Sequence, residues 1–135
     1  MRRCFAKKER AGKGERMRKE KAIADELGPL FEEQVQRLQE SQFLILYWAA
    51  QSEGRDVKYN ITNAFDDLKL AGLTRTKQTA VSVVFALLAL CFIDIRDEHN
   101  RKNIYITRHG AKALEMMVRG NVFKPRASAY LENLQ

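Results

Sequence analysis

The sequence predicts a mainly α-helical fold that carries one small β-hairpin. Three observations predict it. Apolar residues recur at helical spacing in successive segments; Ile93 and Ile95, then Ile104 and Ile106, alternate with polar residues on either side of a charged tip; and Thr or Asn stands where helices should start. The stretch from Gly72 to Gly110 holds the centre of this pattern as a helix, a hairpin and a second helix opened by Thr107. Behind an earlier helical segment, that order is the plan of a winged helix-turn-helix, here with extra N- and C-terminal helical segments.

The elements follow in chain order. Residues 1–21 hold ten Lys/Arg and three Glu, with Gly12 and Gly14 interrupting them, so a basic, flexible arm is expected there. Glu15 to Leu27 has helical charge pairs and Gly28 as a stop. Residues 22–135 then form the winged-helix domain with its terminal dimerisation elements. Pro29 suits the first turn of a helix running to Ser52, on which Phe31, Val35, Leu38, Ile45 and Ala49 fall near helical spacing. Phe43, Leu44, Leu46, Tyr47 and Trp48 widen that stripe, so its second half should be buried on most sides. A short polar link leads to a helix with Ile61, Phe65, Leu68 and Leu70, capped by Asn60 or Thr62 and stopped at Gly72. Thr74 or Thr76 caps the next helix, which extends to about Cys91. The hairpin follows, with Asp97–Lys102 as its polar tip. Thr107 opens a helix through Met117 that ends near Gly120, and Pro125 separates a last short segment, Ala127 to Leu134.

Composition narrows the function. At 135 residues, with 45% hydrophobic and 30% charged residues, the chain suits one globular domain with its own core. The longest apolar run, Ala80 to Ile93, is too short to span a bilayer, and no apolar block follows the basic N-terminus, so a cytoplasmic protein is expected. Cys4 and Cys91 have no metal-ligand or disulfide spacing, and Cys91, set among apolar residues, reads as a reduced core thiol. His99 and His109 belong to no metal or catalytic arrangement, and Asp66-Asp67 reads as a solvated acidic face. No catalytic residue, no metal and no cofactor is expected. The net charge of +7 lies wholly in residues 1–21, since residues 22–135 carry fourteen residues of each sign. DNA attraction by the body must therefore come from local patches.

Such patches are present. Arg75, Thr76, Lys77, Gln78, Thr79 and Ser82 cluster at the start of the Thr74–Cys91 helix, where free N–H groups and the dipole favour phosphate. Gln78 suits adenine, and Lys77 or Arg75 suits guanine or a phosphate. Arg96, Asn100, Arg101 and Lys102 lie on or near the hairpin tip, Arg101 being the choice for a minor groove. In the arm, Arg2, Arg3, Lys7, Lys8, Arg10 and Lys13 suit salt-sensitive phosphate contacts. Leu30, Phe31, Val35 and Leu38 form an apolar stripe with little else to cover it, and with Tyr130, Leu131 and Leu134 they are the candidate dimer interface.

Thr79-Ala80-Val81-Ser82 through Leu87 to Phe92-Ile93, then the hairpin, then Ile106-Thr107-Arg108-His109-Gly110, resembles the MarR-type winged-helix regulators over roughly residues 43–118. The resemblance implies a recognition helix over Thr74–Cys91, a wing, and a homodimer built from N- and C-terminal helices. It also implies double-stranded DNA as partner and leaves room for a small-molecule effector. Three departures stand out: Cys91 replaces the usual Gly; the family's Asp-x-Arg is not reproduced at the hairpin tip, where Glu98-His99-Asn100-Arg101 puts an acid and a base one residue out of step; and Val81, Phe85 and Leu88 make the recognition helix apolar nearly all round. The expected function is sequence-specific binding of double-stranded DNA by a homodimeric transcriptional regulator. Non-specific or architectural DNA binding, as in plasmid maintenance or transfer, is the alternative, followed by a protein-interaction module that does not bind DNA.

Overall fold

The structure is a computed structural model that describes residues 28–134. The six arm residues named above, Cys4 and the expected helix over Glu15–Leu27 lie outside the described residues. The chain divides into two units, residues 1–37 and 38–135. In the first, residues 28–36 are helical (α1), with Leu30 exposed, Phe31 half-buried and Val35 buried. The second unit contains α2 (Glu40–Gly54), α3 (Ile61–Leu70), α4 (Lys77–Ala89), β1 (Ile93–Glu98), β2 (Arg101–Ile106), α5 (Arg108–Arg119) and α6 (Ala129–Glu132). It is mainly helical with one antiparallel two-stranded hairpin. Among the described residues, no helix is long and apolar enough to cross a membrane.

The single helix expected from Pro29 to Ser52 is two helices. Residues 37–39 leave the helix, and Gln39, with extended backbone, starts α2 while its N–H donates to Gln42 Oε1 at 2.9 Å. Leu38 then precedes the cap, the position from which an apolar residue packs toward the fourth residue of the helix, here Phe43. Both are buried within the chain, so Leu38, like Val35, is not the open dimer contact that periodicity suggests.

The core centres on α2, where Phe43, Leu44, Ile45, Leu46, Trp48 and Ala49 are all buried. It packs against α4, α5 and β2, which explains why apolar residues surround it. Asn60 caps α3 by accepting from Asn63 N–H at 2.8 Å, and Thr76 caps α4 by accepting from Thr79 N–H. Thr62 and Thr74 are not the caps; the Thr74 hydroxyl instead donates to the Thr76 carbonyl. Helix α4 ends at Ala89, two residues earlier than expected. Cys91 lies beyond it with φ 65° and an exposed side chain, so it is not a core thiol. Cys91 stands in the turn between α4 and β1, where Phe92 and Ile93 take the buried positions.

The hairpin is longer than its polar tip suggests. Glu98 pairs with Arg101 and Asp97 with Lys102, leaving His99-Asn100 as a two-residue turn with φ 52° and 64°. Two positive φ values define the turn that matches strand twist, and Asn tolerates them well. The link before α3 also pairs: Asn60 bridges Asn103, and Ile104 N–H donates to the Tyr59 carbonyl at 2.7 Å. At the hairpin's exit, Thr107 caps α5 through Gly110 N–H and donates its hydroxyl to the Cys91 carbonyl at 2.7 Å. A Cβ on Gly110 would lie 1.9 Å from the Phe92 carbonyl oxygen, so only glycine lets α5 come this close.

Asp67 is not part of a solvated acidic face. It is buried, and its carboxylate accepts from the Tyr59 hydroxyl at 2.6 Å, the Ser128 hydroxyl at 2.5 Å and Tyr130 N–H at 3.1 Å. These bonds fold the C-terminal segment back onto α3, helped by Trp48 Nε1, which donates to the Arg126 carbonyl at 2.8 Å. As a result Leu131 is buried within its own chain and the Tyr130 ring lies tilted at 58° against that of Tyr59, while Leu134 stays exposed. Of the expected dimer residues, Leu131 is thus occupied inside the protomer. Replacing Asp67 with Ala orphans buried donors and should cost about 3 kcal/mol. Urea unfolding checks the loss, and limited trypsin digestion should show earlier cleavage after Arg126.

Candidate nucleic-acid interface

Helix α4 exposes one long face. Arg75 and Thr76 precede it, and Lys77, Gln78, Thr79, Ser82, Phe85, Ala86 and Ala89 are exposed on it, whereas Ala80, Val84 and Leu87 are buried against the core. The Thr76 and Thr79 hydroxyls bond each other at 2.9 Å, so both are engaged in the cap. Beside this face lies a groove of about 600 Å³, walled by the start of α3 (Asn60–Asn63), by Lys77, Val81 and Phe85 of α4, and by Asn100, Arg101 and Lys102 of the hairpin.

The groove joins two sets of residues that the sequence kept apart. Lys77 reaches across to Thr62 Oγ1 at 3.2 Å, which ties the start of α4 to that of α3. Lys77, Arg101 and Lys102 give the groove three cations, and no carboxylate lines it. Lys102 is paired with Asp97 at 3.0 Å, whereas Arg101 has no ion-pair partner among the described residues. Neither family models nor curated proteins match this sequence.

Not every expected residue converges. Arg75, Thr76, Gln78, Thr79 and Ser82 flank the groove without lining it. Arg96 lies further down the hairpin, its guanidinium 4.2 Å from the centre of the Tyr105 ring and paired with Asp94 at 3.2 Å. That position holds the hairpin surface together rather than facing the groove.

A polar network unanticipated from sequence stiffens the hairpin. Glu98 Oε1 accepts from the Tyr105 hydroxyl at 2.5 Å and from Asn103 Nδ2 at 2.7 Å, and Lys58 Nζ donates to the Tyr105 hydroxyl at 2.8 Å. The hydrogen bond from Tyr105, then that from Asn103, holds the Glu98 carboxyl below its usual range; the Tyr105 bond, then the charge of Glu98, raises Lys58. One missed signal was legible: Val57-Lys58-Tyr59 alternates like a short strand.

Tyr59 sits beneath this region and is buried. Burial, then the negative charge of Asp67, pushes its hydroxyl well above the ordinary tyrosine value. A raised folded-state pKa stabilises the neutral form, so this contribution is full below the unfolded value of about 10 and declines as pH rises beyond it. Stability should fall above that pH, and Tyr59 should stay protonated until the chain unfolds. The ring-carbon NMR shift of Tyr59 followed against pH checks this.

Proposed function

We propose that the chain is a winged helix-turn-helix protein that binds double-stranded DNA in a sequence-specific way, as a homodimeric transcriptional regulator of MarR type. One observation carries the reading: the exposed face of α4 and the hairpin tip meet along one cationic groove that no carboxylate lines. In this reading α3 and α4, joined through residues 71–76, are the helix-turn-helix and β1–β2 is the wing. A duplex strand lies along the groove with its phosphates near Lys77, Arg101 and the first N–H groups of α4, while Gln78 and Ser82 face the bases.

Local geometry supports the resemblance where the motifs matter. Cys91, in the position usually held by Gly, has the positive φ that favours Gly. Thr107 caps the helix after the hairpin, and Gly110 allows the close approach to Phe92. Dimerisation is supported by exposed apolar side chains at Leu30 and Leu134. The arm, through its charge alone, adds salt-sensitive affinity without base preference.

The base-reading claim has a direct test. Gln78 is exposed and outside the core, so Gln78→Ala leaves folding intact. It should weaken binding to a selected duplex by about tenfold and to random duplex hardly at all. Equal loss on both removes base reading by α4 and favours architectural binding, in which the charge on residues 1–21 dominates.

A further inference from the structure

The α4 face turned toward the duplex in the proposed DNA-binding mode is nearly devoid of polar groups beyond its second turn. Residues 78, 82, 85 and 89 follow helical spacing along one line, with Ala86 beside it. Gln78 and Ser82 are hydrogen-bonding residues; Phe85, Ala86 and Ala89 offer only ring and methyl surface. Phe85 is 44% exposed, and with Val81 it supplies an apolar wall to a groove otherwise lined by amides, a hydroxyl, cations and Ile61.

Hydrogen-bond readout requires donors and acceptors that these residues lack. What Ala and Phe can contact in the major groove is the methyl group at carbon 5 of a pyrimidine. Ala86 and Ala89 are also small, so the helix backbone can come near the base edges. The cationic rim, with no carboxylate lining the groove, fits a polyanion whose surface carries methyl groups better than it fits a wholly apolar protein partner.

We infer that this face recognises 5-methylpyrimidines, thymine or 5-methylcytosine, with Phe85, Ala86 and Ala89 making the methyl contacts. The inference rests on the DNA-binding reading above and narrows it to one chemical feature of the base.

The test uses the full chain and two pairs of mixed-sequence duplexes. One pair has thymine or uracil throughout; the other has 5-methylcytosine or cytosine throughout. Within each pair, charge and base pairing are the same and only the methyl groups differ. The methylated member should bind more tightly in both pairs, by about fourfold for each methyl contacted. Phe85→Ala should shrink both gaps, and Phe85→Leu should keep most of them. The double variant Ala86→Ser with Ala89→Ser, which alters exposed positions alone, should also narrow the gaps while leaving the fold intact. Equal affinity of the wild type for both members of each pair overturns methyl recognition and leaves DNA binding standing. Gaps that persist unchanged in both Phe85→Ala and the serine variant overturn the assignment to these residues. Failure to bind any of the duplexes overturns the inference together with the DNA-binding reading.

Discussion

Gly110→Ala should destabilise the protein by about 3 kcal/mol, the upper end of ordinary overpacking costs. The new Cβ meets the Phe92 carbonyl oxygen at 1.9 Å, and that partner is backbone, so no rotamer change relieves it. Either α5 moves away or the chain at Phe92 shifts. Both responses disturb the junction where Thr107 N–H donates to the Phe92 carbonyl at 3.1 Å and where the hairpin leaves the core. For a domain of this size, the midpoint of thermal unfolding should drop by roughly 10–20 °C. Gly54→Ala provides the contrast. Gly54 lies in α2 with nothing within 4 Å of the added Cβ, so the same chemical change should stabilise by about 0.5 kcal/mol. Thermal unfolding by circular dichroism of the two variants checks both signs.

The double variant Lys77→Ala with Arg101→Ala should lower duplex affinity by about a hundredfold while leaving stability nearly unchanged. Both side chains are exposed and contribute to one groove from different elements, α4 and the hairpin. If both contact phosphates, the loss is similar on every sequence and the slope of log affinity against log salt falls by about two. Lys102→Ala should do less, because Lys102 already spends its charge on Asp97. Fluorescence anisotropy across a salt series measures both the loss and the slope. A loss confined to one sequence would move Lys77 or Arg101 from the backbone to a base edge.

Much of this arrangement was legible in the sequence where one residue type had one structural solution. Ile93, Ile95, Ile104 and Ile106 set the hairpin by period-2 alternation, and the strands pair in that register. Thr107 announced α5 because a threonine hydroxyl is a helix cap. The break at residues 37–39 was hidden because the apolar spacing of Val35 and Leu38 continues smoothly across it, and glutamine is a weak cap signal. The hairpin tip was read as too long because its charged residues resemble a loop, although Asp97 and Lys102 are ladder partners.

Asp67 shows a different limit. Its position three residues after Ala64 and beside Leu68 puts it on the buried side of α3, which is a readable signal. Its partners Ser128 and Tyr130 lie some sixty residues away, and only the fold brings them together. The groove has the same character. Lys77 and Arg101 were each visible as candidates, but their convergence depends on how the hairpin lies against α3, set by the bridge between Asn60 and Asn103.

Selection of randomised duplex DNA by the full-length protein at physiological salt tests the central claim most directly. The account predicts enrichment of a two-fold symmetric motif with half-sites about one helical turn apart, as a winged-helix dimer requires. Recovery of DNA with no enriched motif, or no recovery at all, would contradict it.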